Sequence, residues 1–78
     1  MKKQEILSQV EGIFRDILDD ETIVLTDSST ANDIEDWDSL THIQLIVAIE
    51  KHFHIKFTSR EILSWNNVGE MIDCIAGK

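Results

Sequence analysis

Apolar residues return every three or four positions between residues 3 and 18, at Ile6, Val10, Ile13, Phe14, Ile17 and Leu18. That spacing places them on one face of a helix and predicts a first helix there. Gly12 interrupts the run at an expected cost of about 1 kcal/mol relative to alanine. The period then fails. Residues 19–37 are rich in Asp, Ser, Thr and Asn, and their only apolar cluster is Ile23-Val24-Leu25, with Ile34 and Trp37 further along. This pattern predicts a long loop pinned to the rest of the fold by those side chains. A strand over Thr22 to Thr26 is the competing reading, but one isolated strand has nothing to pair with.

Helical spacing resumes at Ser39 and lasts to about His52 in two series, Leu40, Ile43, Val47 and Ile46, Ile49, Phe53. A helix apolar around more than half its circumference is expected at the centre of a bundle, buried by neighbours on several sides. Thr58 followed by Glu61 has the form of a capping box and opens a short helix through about Ser64. Asn67 with Glu70 repeats that form before the stripe Val68, Met71, Ile72 and Ile75. The predicted fold is all-α: a four-helix bundle with a long loop between the first and second helices and a short third helix. It forms one domain over residues 1–78.

Composition narrows what such a bundle can do. A chain of 78 residues buries only about 60% of its unfolded surface, which leaves little capacity for a deep catalytic cavity. Seven basic against 15 acidic residues give a formal charge of −8. A surface that acidic repels nucleic acid and anionic membranes, and favours partners with basic patches. The single Cys74 cannot staple the fold and brings no metal-binding set with it. No signal segment opens the chain and no apolar run is long enough to span a bilayer, so a cytoplasmic location is expected.

Candidate chemistry gathers at the start of the second predicted helix. Ser39 sits at the helix N-terminus, where a serine commonly serves as the N-cap. The same geometry suits a phosphodiester, because a helix start presents free N–H groups and positive partial charge. The stretch Asp36-Trp37-Asp38-Ser39-Leu40-Thr41-His42-Ile43-Gln44-Leu45 resembles the phosphopantetheine attachment site of acyl carrier proteins. Ala48-Ile49-Glu50-Lys51-His52-Phe53 is similar to the end of their second helix, and Ile55-Lys56-Phe57 to the link that follows. The resemblance is specific from about Ile34 to Ile75 and rests only on a helix-plus-loop pattern before that.

This resemblance implies a carrier with the acyl-carrier bundle fold rather than an enzyme. A phosphopantetheinyl transferase would move the 4'-phosphopantetheine arm from coenzyme A onto the Ser39 hydroxyl, with magnesium on the enzyme's side. The arm's thiol would then hold acyl groups as thioesters for acyl-loading and acyl-transfer enzymes. Asp38 would help the transferase dock, and Leu40 would tether the helix start beside the arm. The wide apolar face of the second helix further suggests that acyl chains would tuck between the helices, against residues such as Ile43, Val47, Phe53 and Ile62. A monomer is expected, because a carrier must visit several partners.

Several positions depart from the fatty-acid-synthesis pattern. Trp37 stands where those carriers place a small residue, and Thr41 and Gln44 stand where they place acidic ones. His42, Lys51, His52 and His54 further thin the acidic stripe, while Asp33, Glu35, Asp36 and Asp38 concentrate charge before the helix. A specialised carrier follows from these departures. A peptidyl or aminoacyl carrier is a variant that lacks here the usual Gly-Gly before the serine. An unmodified acidic interaction module, with Ser39 only a cap, is the reading from a different class.

Other constellations fare worse. Asp38, Ser39 and His42 suggest a hydrolytic triad, but there is no Gly-x-Ser-x-Gly elbow. A twelve-residue calcium loop from Asp27 puts Ala31 at a ligand position and Asn32 where glycine is needed. His52 and His54 lack partners for zinc and are expected to be surface groups tuning charge near neutral pH. Trp65 and Cys74 are expected to pack the last two helices, and Trp37 to anchor the loop.

Overall fold

The computed structural model describes residues 2–78 and contains four helices: α1 (Lys3–Ile17), α2 (Ser39–Phe53), α3 (Ser59–Ser64) and α4 (Val68–Ala76). The predicted all-α bundle is thus observed, and no strand occurs among the described residues. α1 packs against both α2 and α4. Ile6, Val10 and Phe14 of α1 meet Leu45 and Ile49 of α2 and Val68, Met71, Ile72 and Ile75 of α4 in one core.

The loop of residues 18–38 is immobilised by the helices it crosses. Ile23 and Leu25 are buried, whereas Val24 between them points outward at 69% exposure. That alternation is strand-like, and it corrects the expectation that all three side chains pin the loop. Helix α1 supplies the pairing a strand partner would have given. The Arg15 Nε donates to the Ile23 carbonyl at 2.8 Å, and the Leu25 N–H donates to the Glu11 carboxylate at 2.9 Å. The two side chains also pair with each other at 3.2 Å, so one turn of α1 satisfies the Ile23 carbonyl and the Leu25 N–H.

The same loop caps α4. The Val68 N–H donates to the Ser29 carbonyl at 2.9 Å and the Gly69 N–H to that of Asp27 at 2.8 Å. These are two of the free donors at a helix start. The approach needs glycine, because a Cβ on Gly69 would lie 2.8 Å from the Asp27 carbonyl oxygen.

Thr58 and Glu61 form the expected box, with the Glu61 N–H donating to Thr58 Oγ1 at 3.1 Å and the Thr58 N–H to Glu61 Oε1 at 2.9 Å. At α4 only half a box forms. Asn67 accepts from the Glu70 N–H at 2.9 Å, but the Glu70 carboxylate reaches back to the Asn66 N–H instead. A larger correction concerns α2. Leu45, Ile46 and Ile49 are buried, while Leu40, Ile43 and Val47 face solvent at 68%, 64% and 43% exposure. The helix is covered on one side and bare on the other.

Candidate functional site

Ser39 is the first residue of α2, not its cap. Asp38 holds that position in extended conformation, and its Oδ1 accepts from the Leu40 and Thr41 N–H groups, each at 3.0 Å. Thr41 closes the box from the other side. Its Oγ1 accepts from the Asp38 N–H and donates to the Asp36 carbonyl, both at 2.8 Å. The hydrogen bonds from Thr41 hold the Asp38 carboxyl below its usual range, so it is ionised near neutral pH.

This arrangement changes the roles of both residues. The cap is made by Asp38 and Thr41, and the exposed Ser39 hydroxyl is absent from the capping bonds recorded among the described residues. Thr41, where fatty-acid-synthesis carriers place an acid, is here a structural part of the helix start. Asp38 already takes the Leu40 and Thr41 N–H groups, so this helix start offers an anion fewer free donors than its position alone implies. A phosphodiester on Ser39 would be held by its covalent bond, beside a carboxylate and not in a cradle of free donors.

Trp37 sits half-buried just before the cap. Its ring meets Phe14 edge-on, with centroids 4.9 Å apart, which anchors the loop to the core as expected. Its Nε1–H donates to His42 Nδ1 at 3.0 Å, and the two rings stack. An accepting Nδ1 fixes the neutral imidazole with its proton on Nε2, and burial lowers the His42 pKa. His42 is thus half-buried and held against the indole. It also cannot serve Ser39 as a base through Nδ1, which together with a capping Asp38 removes the triad reading.

Leu40 follows Ser39 in the first turn of α2, and its side chain stands exposed, away from the core. Ile43 and Val47 share that outward row, so they do not line an inter-helical acyl channel with the half-buried Phe53 and Ile62. The concavity next to Ser39 lies elsewhere. A cleft of about 430 Å³ opens between the loop, the start of α2 and the α3–α4 link, lined by Trp37, Ser39, His42, Trp65 and Asn67 among others. Indole faces with amide and hydroxyl groups suit a chain that is part apolar and part hydrogen-bonding. An exposed hydroxyl at the rim of such a cleft fits the attachment of a flexible arm.

Two further expectations concern reactive groups. Trp65 packs edge-on against Phe57 with centroids 4.9 Å apart, and the Cys74 thiol donates to Glu61 at 3.3 Å. Burial pushes the thiol pKa up, so Cys74 is the packing residue predicted and a poor nucleophile. No group of three or more His, Cys, Asp or Glu among the described residues is arranged to hold a metal. No helix among them is long and apolar enough to cross a membrane.

A small helical bundle with an exposed serine at the start of a long helix, at the rim of a part-apolar cleft, has the form of a carrier domain. The family model for the phosphopantetheine attachment site matches residues 8–75. The acyl carrier protein of Cyanidium caldarium is 35% identical over 97% of this chain and 88% of its own length. That of Guillardia theta is 33% identical over 100% and 96%. The solution structure of a holo acyl carrier protein from Geobacter metallireducens superposes with a TM-score of 0.87 at 46% identity, covering 92% of this chain and 83% of the other. The chain belongs to the acyl carrier protein family, whose members are carriers and not enzymes and hold a covalently attached 4'-phosphopantetheine.

Proposed function

We propose that Ser39 bears the phosphopantetheine arm and that the chain presents acyl groups on it to the enzymes of a specialised biosynthetic pathway. The observation that supports this best is the division of labour at the start of α2. Asp38 and Thr41 complete the cap by themselves, which leaves an exposed serine hydroxyl on a rigid helix end. The Ser39 oxygen attacks phosphorus in the pyrophosphate of coenzyme A, forming the phosphodiester and releasing adenosine bisphosphate, with its proton passing to a base of the transferase. Once attached, the arm supplies a terminal thiol that holds the acyl group as a thioester.

Exposed Glu35 and Asp36 flank this end of α2 and offer basic groups of the transferase and the acyl-transfer enzymes a first contact. The specialised character rests on Trp37, Thr41 and Gln44. The first two are tied into the anchoring and capping of this helix start and are not free to present charge. The test is incubation with coenzyme A, magnesium and a broad-specificity transferase, followed by intact-protein mass spectrometry. One phosphopantetheinyl addition is expected, abolished in Ser39→Ala. An unmodified wild-type chain, under conditions that modify a control carrier, overturns the reading. For the pathway, efficient loading with malonyl groups by fatty-acid-synthesis enzymes counts against a dedicated role.

A further inference from the structure

The outward row of α2 continues past its apolar part. Leu40, Ile43 and Val47 are followed at helical spacing by Lys51, which puts a cation on the same face about 16 Å from Leu40 at 1.5 Å per residue. Beside it is a hollow of about 350 Å³ lined by Val47, Glu50, Lys51, His54, Ile55 and Lys56. Glu50 is the one acid in this lining, and its carboxylate is engaged by the Phe57 N–H at 2.8 Å. Arg60 follows in the first turn of α3.

Neither ion pairing nor helix stability accounts for these cations. Lys3, Arg15 and Lys78 each pair with a carboxylate within 4 Å, whereas Lys51, Lys56 and Arg60 form no ion pair among the described residues. The helix dipole welcomes Lys51 at the end of α2, but it offers Lys56 in the link nothing and disfavours Arg60 at the start of α3. In a chain of net charge −8, the two unpaired cations Lys51 and Lys56 line one hollow together with the apolar Val47 and Ile55, a local inversion of sign.

We infer that this foot of α2 is a docking surface for a partner protein that presents carboxylates beside an aliphatic ridge. The inference rests on the carrier reading, since the row begins next to Ser39 and a partner receiving the arm there spans the row to its other end. Such a partner meets Glu35 and Asp36 with basic groups and Lys51 and Lys56 with acidic ones. Opposite polarity at the two ends fixes the direction in which it binds.

The test uses the full, unmodified chain, so its result does not depend on whether Ser39 accepts an arm. Two amphipathic helical peptides share one leucine face, flanked in one by glutamates and in the other by lysines. Each is titrated while the amide signals of Val47, Lys51 and Lys56 are followed by NMR. Binding at these residues is expected to be at least about tenfold tighter for the glutamate peptide, and to weaken between roughly 20 and 200 mM salt. The double variant Lys51→Glu, Lys56→Glu reverses the preference. Equal or tighter binding of the lysine peptide at these residues, as net charge alone dictates, overturns the inference. So does no response to either peptide, or an unchanged preference in the double variant.

Discussion

Helices α1 and α2 are equally long, 15 residues each, yet they place their apolar residues differently. Every apolar side chain of α1, from Ile6 to Ile17, is buried or half-buried. On α2 a buried row at Leu45, Ile46 and Ile49 lies opposite a bare one at Leu40, Ile43 and Val47. The core of so small a chain is filled once α1, α4 and one side of α2 have met, and the second row has nothing left to pack against. Apolar residues beyond what the core takes form a contact surface, and here that surface starts beside Ser39.

The sharpest way to break this comparison is to truncate one residue from each class. Phe14 is fully buried and carries Trp37 on its edge, so Phe14→Ala should destabilise the fold by about 3–5 kcal/mol. Ile43→Ala, on the bare row, should change stability by less than about 0.5 kcal/mol. Urea denaturation measures both. Similar losses mean that α2 is enclosed in solution and that its outer row is not a surface.

The next largest effect is expected where the loop meets α4. The Cβ of Gly69→Ala lies against the Asp27 carbonyl oxygen, a backbone atom that cannot rotate away. The loop must shift and loosen the cap on α4, at about 1–3 kcal/mol. The same denaturation series reads it, and amide exchange at Val68 and Gly69 should quicken.

Helix α3 buries none of its residues fully and so relies on polar ties where α1 relies on packing. The Thr58 N–H, Lys78 and Cys74 together lower the Glu61 pKa from 4.5 to about 2. A depressed carboxylate contributes stability that is fully present above its unfolded pKa and lost as pH falls through the folded value. The stability difference between wild type and Glu61→Gln should therefore be constant above about pH 5 and shrink between pH 4.5 and 2. A difference that persists unchanged at pH 2 removes this role from the charge.

Helical periodicity, the Thr58–Glu61 box and the position of Ser39 were legible in the sequence because each is a local pattern. What escaped depends on contacts across the chain. Which row of α2 faces the core is decided by where α1 and α4 lie, and both rows have the same spacing. The Trp37–His42 hydrogen bond joins residues five apart across a helix start, and its only sequence signal is the pair of side chains. That Asp38 caps in place of Ser39 was within reach, since Asp ranks beside Ser as an N-cap and Thr41 stands three residues on. The ties from Glu11 and Arg15 to the loop left no such trace.

One small effect has the opposite sign and sharpens the comparison from the side of α1. Gly12 lies on the exposed face of that helix, and a Cβ built there meets nothing within 4 Å. Gly12→Ala gains no contact in the folded state and restricts the unfolded chain, so it should stabilise by about 0.5–1 kcal/mol. Set against Gly69→Ala, the same chemical change is then favourable on one helix and unfavourable on another. If the Gly12 variant is instead destabilised, the face of α1 that carries it is not free, and the assignment of bare and covered sides on which α2 is contrasted with α1 fails.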